Sequence, residues 1–135
     1  MITVLSVFGL CYLFLWSLIG FYLGIKHESH VQKLKSSAKK GNLQDYFGEW
    51  SVWKLHAGGH AHALLLALIC ILVALIMPQM VLADTIKTIL VVLLIVGTVL
   101  ASVAHWFYFK PVLGLGSALF LIGLLISIIG FIRGL

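Results

Sequence analysis

The chain has 135 residues, of which 62% are hydrophobic and only 10% are charged, and its formal net charge is +5. A soluble domain is about half apolar and a quarter charged, so this composition excludes an ordinary soluble protein and indicates one small integral membrane domain. Cys11 and Cys70 lie inside apolar runs and form no CxxC or CxxCH motif, which argues against a disulfide framework and against covalent haem attachment.

The first apolar run predicts a membrane span at about residues 2–25, because roughly 20 apolar residues cross a bilayer core. This run lacks the basic start of a cleavable signal peptide, so we expect it to remain as a span. Phe8, Tyr12 and Trp16 recur every fourth residue and therefore share one face of the predicted helix.

Residues 26–55 form the long polar segment, in which lysines outnumber acidic residues. Cytoplasmic loops are enriched in lysine, so we predict a cytoplasmic loop here, with the N- and C-termini on the outer side. Residues 36–42 suggest a flexible break, and Leu43, Phe47 and Trp50 predict a short helix lying in the membrane interface. The basic charge favours anionic lipid headgroups over nucleic acid as the partner of this segment.

Three further spans are predicted at about residues 59–77, 85–109 and 112–132. Pro78 should end the second span, and Asp84 should cap the third. Pro111 should start the fourth, after a tight turn. Short connections place neighbouring spans antiparallel. The predicted fold is therefore all-α, an integral four-helix antiparallel bundle that forms one domain in a prokaryotic-type inner membrane.

Histidines are concentrated at the start of the second predicted span, at positions 56, 60 and 62. An ionisable side chain at that depth is costly, and its presence is a functional hypothesis. His56 and His60 share a helical face, whereas His62 points nearly opposite to His60. Because His105 lies just over one turn before the tight turn at Lys110, we expect it at the same depth as His60 on a neighbouring helix.

Small residues follow the histidines on both helices. Ala63 and Ala67 continue the His60 face of the second span, and Gly97 and Ala101 precede His105 on the third. Such residues let two helices pack closely in a membrane. The same absence of bulk would equally leave a slot for a flat ligand.

These patterns predict haem b, bound by His60 and His105 as axial ligands, with His62 as the competing ligand. The four small residues would give clearance to the macrocycle. A Cu, Zn or Fe ion held by His56, His60 and His105 is the alternative cofactor, in a metal-binding or transport protein that would act as a homo-oligomer. A third hypothesis is a noncatalytic structural subunit without a cofactor. No nucleophile–base pair or paired carboxylate is visible, so we assign no catalytic residue.

The motif His60-Ala61-His62, followed by an apolar helix, resembles small four-span proteins related in pattern to haem–copper oxidase subunit I. The sequence Leu113-Gly114-Leu115-Gly116 is similar to the glycine-rich start of a later span in that family. The resemblance implies haem binding and an electron-transfer or redox accessory role, with quinol or a larger membrane oxidoreductase complex as partner. The chain departs from the pattern at Ser117, where such proteins carry a further histidine.

Overall fold

A computed structural model describes all residues 1–135, and the chain forms four helices without any β-strand. They are α1 (Ile2–Lys39), α2 (Leu43–Ile76), α3 (Asp84–Trp106) and α4 (Lys110–Ile132), with a short 3₁₀ helix at Met77–Gln79 after α2. Each of the four carries an apolar segment long enough to cross a membrane. The predicted all-α, four-span membrane fold is thus confirmed.

The helices pack as two pairs. Helix α1 packs along α2, α3 packs along α4, and the pairs are joined mainly through α2 and α3. Fully buried apolar side chains from α1, α2 and α3 form the core at this junction, among them Leu5, Cys70, Leu90 and Leu94. Consequently α2 is the central helix, in contact with both α1 and α3.

Helices α1 and α2 are much longer than a membrane requires. Their 38 and 34 residues correspond to about 57 and 51 Å at the 1.5 Å rise of an α-helix, whereas a bilayer core is about 30 Å thick. Residues 26–55 therefore form a projecting hairpin, made by the end of α1 and the start of α2, instead of the predicted loop. Leu43, Phe47 and Trp50 belong to the continuous helix α2 and not to a separate interfacial helix.

The local sequence explains why the projecting hairpin is helical. Lysine, glutamate, glutamine and alanine are good helix formers, and Gln32 donates to Glu28 one turn away at 2.7 Å. The expected break at 36–42 shrinks to a tight turn centred on Gly41, whose φ of +68° suits glycine. Asn42 then caps α2 by accepting a hydrogen bond from the backbone N–H of Asp45 at 3.2 Å.

The α3–α4 pair is held together by glycines. A Cβ added at Gly97 would lie 2.6 Å from the backbone N of Phe120, and one at Gly116 would lie 2.5 Å from the backbone N of Ala101. Two ends differ from prediction: α3 stops at Trp106, and Asp84 is its first residue but makes no capping bond. Pro111 is the second residue of α4, where its missing N–H costs no helical hydrogen bond.

Candidate functional site

All four histidines singled out from the sequence lie at one end of the bundle, the end from which the projecting hairpin extends. His56, His60 and His62 lie on the part of α2 that enters the apolar region, and His105 lies in the last turn of α3. The common depth expected for the two helices is visible in their contacts, because the α3 end packs directly against this part of α2.

His62 and His105 form a stacked pair between α2 and α3. Their ring centroids are 4.9 Å apart and their planes differ by 24°. The Nδ1 of His62 lies 2.8 Å from the carbonyl oxygen of Gly58. A carbonyl only accepts, so Nδ1 carries the proton, and the lone pair of the neutral His62 ring is on Nε2. The His62 side chain is exposed, and no hydrogen bond to its Nε2 is formed within the chain.

Two consecutive glycines make this arrangement fit. A Cβ added at Gly58 would lie 3.1 Å from Nε2 of His105, and a Cβ added at Gly59 would lie 3.3 Å from its Cδ2. The His105 imidazole thus rests directly on the backbone of α2. Gly58-Gly59 is the sequence signal for this contact, and the sequence analysis did not use it.

The stacked pair lies between two cavities. A groove of about 750 Å³ extends along the projecting hairpin and has a mixed lining of polar, aromatic and aliphatic residues, including Trp50, Lys54, Leu55, His62, His105 and Tyr108. A second cavity of about 290 Å³ lies deeper in the apolar region of the bundle. Apart from the two histidines and Ser117, all its lining residues are apolar. The two histidines line both spaces, which makes them the polar boundary between a surface groove and an apolar cavity.

His60 is not brought to His105. Its ring lies directly against Gly20 of α1, where a Cβ would collide with the imidazole. Its Nδ1 is buried without a hydrogen-bond partner. The predicted axial pair of His60 and His105 is therefore not assembled, because α1 occupies the side of α2 on which His60 lies. The competing ligand, His62, is the histidine that meets His105.

His56 packs flat on Trp106 of α3, with ring centroids 4.2 Å apart and planes 13° apart. The Trp106 ring also lies edge-on to Trp16 of α1, with ring centroids 5.6 Å apart. Aromatic rings therefore fill the space where α1, α2 and α3 meet. No group of three His, Cys, Asp or Glu side chains is placed to hold a metal ion. The proposed three-imidazole site of His56, His60 and His105 is accordingly not formed.

The small residues expected to flank a macrocycle serve helix packing. Ala63 and Ala67 are completely buried, and Gly9 of α1 approaches α2 so closely that a Cβ would lie 3.1 Å from the Ala67 carbonyl oxygen. Gly97 and Ala101 pack against the α4 backbone, although Ala101 also lines the edge of the deeper cavity. The absence of bulk at Ala63, Ala67 and Gly97 is therefore used for close helix approach, and Ala101 alone of the four lines an open space.

Comparisons with known proteins identify no relative. No family model matches the chain, and neither a curated protein nor a solved structure matches it.

Proposed function

We propose that the protein binds haem b in the groove beside His62 and His105, and that it serves as an electron-transfer or redox accessory subunit. The observation that carries this proposal is the state of the His62 ring. Its Nδ1 donates to the Gly58 carbonyl oxygen at 2.8 Å, which leaves Nε2 for a ligand, and the His62 residue lines the 750 Å³ groove. Histidines that bind metals are commonly fixed in this way, with one ring nitrogen donating to a carbonyl and the other ligating.

The groove offers the mixed chemistry that haem requires. Trp50, Leu55 and Tyr108 supply apolar and flat surface, while Lys54 supplies a positive charge suited to the carboxylates of haem. The Lys54 ammonium lies 4.9 Å from the centre of the Trp50 ring, so charge and flat surface are adjacent. These residues fit an amphiphilic, flat, anionic cofactor.

The proposal assigns different roles to the two histidines. A stacking distance of 4.9 Å leaves no room for a macrocycle between the rings. His62 is therefore the ligand, and His105 is a positioning residue that holds the His62 ring from its other side. Bound haem would supply an iron that accepts and gives up one electron, while the chain orients the ring and neutralises the carboxylates. This differs from the axial pair that the sequence suggested.

The charge distribution indicates the orientation of the protein in the membrane. We infer that the lysine-rich projecting hairpin faces the cytoplasm of a bacterial-type inner membrane, since cytoplasmic segments are enriched in lysine. The groove then opens at the inner surface, with the apolar cavity below it in the bilayer. That position suits exchange of electrons with quinol from the membrane, or with a larger oxidoreductase complex.

An absorption spectrum tests the proposal. We expect the purified chain, reconstituted with haem b, to show a Soret band that shifts on reduction. His62→Ala should abolish the band. His105→Ala should weaken haem affinity by about 10-fold or more, since removing a residue that orients a metal ligand typically costs 10- to 100-fold. His60→Ala is the matched control on the same helix and should leave the spectrum unchanged.

Three outcomes would overturn the proposal. A Soret band that persists in His62→Ala would place the iron elsewhere. A stoichiometric Cu, Zn or Fe ion without a Soret band would favour a metal-binding or transport protein. Copurification with larger membrane subunits in the absence of any cofactor would favour a structural subunit.

A further inference from the structure

We propose that a cavity within the projecting hairpin, between α1 and α2, binds the phosphate of an anionic phospholipid headgroup. The cavity has a volume of about 170 Å³ and is lined by residues of the α1 extension and of the first half of α2. The polar side chains that line it include Lys26, Ser29, His30, Lys33 and Glu49. The proposal is independent of haem binding.

The cavity lies at the depth of lipid headgroups. Lys26 is the residue that ends the apolar segment of α1, and Ser29 and Lys33 follow three and seven residues later on the same helical face. Seven residues of α-helix rise about 10 Å, and the polar layer on each side of a bilayer is about 5–8 Å thick. A phosphate bound near Lys26 and Ser29 would therefore lie within the headgroup layer, whereas the backbone of Lys33 lies just beyond the outer edge of that layer.

His30 provides a buried polar atom that needs a partner. His30 is only 8% exposed, and its Nε2 has no hydrogen-bond partner. The imidazole is held flat against Trp53, with ring centroids 4.4 Å apart and planes 10° apart. A buried donor left unpaired costs free energy, so a ligand that accepts a hydrogen bond at Nε2 would be stabilised. Phosphate oxygens are such acceptors.

The local charge selects an anion. Two lysine ammonium groups line the cavity against the single carboxylate of Glu49. That carboxylate is 3.9 Å from Nδ1 of His30 and raises the pKa of the imidazole, but burial lowers the pKa by more, so the neutral ring is favoured. A neutral imidazole carries one N–H, and with the proton on Nε2 the ring would donate to a phosphate oxygen. Basic pockets between membrane helices at this level are suited to acidic lipid headgroups.

Native mass spectrometry of the delipidated full chain, titrated with phosphatidylglycerol, tests the site. Each lysine near an acidic headgroup is worth several-fold in affinity, so Lys26→Gln/Lys33→Gln should weaken binding by about 10- to 30-fold. The matched control, Lys35→Gln/Lys39→Gln, removes the same charge from the same helix but outside the cavity, and should change the affinity less than about threefold. His30→Phe keeps the ring on Trp53, removes the Nε2 donor, and should weaken binding about 10-fold.

Two results would overturn the proposal. An equal loss of affinity in both lysine double variants, with His30→Phe unchanged, would mean that only the bulk charge of the hairpin attracts the lipid. Inorganic phosphate binding as tightly as phosphatidylglycerol, and displacing it, would identify a site for a soluble anion. Phosphatidylcholine serves as the lipid comparator and should bind more weakly, because its headgroup carries no net charge.

Discussion

The two helix pairs of this protein are built on different contacts. In the α3–α4 pair, glycine meets backbone: Gly97 faces the Phe120 backbone, and Gly116 faces the Ala101 backbone. In the α1–α2 pair, Gly9 also approaches the partner backbone, at the Ala67 carbonyl oxygen, but Gly20 faces the His60 ring. The α3–α4 pair is closed by two contacts of glycine with backbone, whereas the α1–α2 pair has one such contact and accommodates an imidazole ring at the other glycine.

The polar groups follow the same division. The buried side-chain atoms without a hydrogen-bond partner all lie on the first two helices, namely Tyr12 Oη, Trp16 Nε1, His30 Nε2 and His60 Nδ1. Of the three buried hydroxyls of the other pair, those of Ser102 and Ser127 donate to their own helix backbone, and that of Thr98 lies 3.5 Å from Sγ of Cys70 on α2. The comparison teaches that the buried polar groups of α3–α4 have partners inside the protein, while α1–α2 retains buried groups that can still form new interactions.

The largest effect should come from breaking the backbone contact of α3 and α4. Gly97→Ala places a Cβ 2.6 Å from the Phe120 nitrogen and 2.9 Å from the Gly116 oxygen, so the helices must separate. We expect a loss of about 3 kcal/mol in the free energy of unfolding, at the upper end of overpacking costs. Steric trapping in bicelles measures this quantity.

The control for this substitution is on the partner helix. Gly114→Ala meets nothing within 4 Å and should change the free energy of unfolding by less than about 0.5 kcal/mol. If Gly97→Ala were equally harmless, α3 and α4 would not be in backbone contact, and the contrast between the pairs would fail.

A smaller loss is expected in the α1–α2 pair. The Cβ of Gly20→Ala would collide with the His60 ring, but a ring can turn away where a backbone cannot. We expect a loss of about 1 kcal/mol, the scale of a side chain forced off its preferred rotamer. The same unfolding measurement checks it, with Gly24→Ala, which has open space one turn later, as the control. A loss as large as that at Gly97 would show that His60 is rigidly held.

The smallest effect has the opposite sign and concerns the projecting hairpin. Gly48 lies within α2, is exposed, and has nothing within 4 Å of an added Cβ. Gly48→Ala should stabilise the hairpin by about 0.5–1 kcal/mol, because alanine is the better helix former. Amide hydrogen exchange over residues 43–55 measures the change. Unaltered exchange would indicate that this segment is not helical, and would favour the loop that was predicted from its polarity.

The sequence was sufficient for the spans and insufficient for the polar segment. Apolar runs of membrane length determine helices directly, since a spanning backbone must satisfy its own hydrogen bonds. The hairpin depends on long-range contacts such as His30 on Trp53, and polarity alone does not distinguish such a helix pair from a loop. Orientation and membrane type stay predictions.

The candidate site was predicted in location but not in pairing. The depth of His105 followed from helix lengths, and it does lie against α2. Which histidine it meets depends on which side of α2 each neighbour occupies, and spacing along one helix does not reveal that. His60 was assigned to α3 but faces α1 at Gly20. Likewise, the stripe through Gly97 and Ala101 fits a ligand slot or close packing equally well, because both need only a missing side chain. The haem assignment itself stays a proposal.

Gly58 links the two imidazoles of the haem groove through a single residue. Its carbonyl sets the tautomer of His62, and its bare α-carbon admits His105. The carbonyl belongs to the same helix as His62 and moves with it, whereas the seat of His105 depends on how α2 faces α3. A side chain introduced at position 58 would crowd His105 but keep the backbone carbonyl, so an engineer could retune one ring there and leave the hydrogen bond of the other in place.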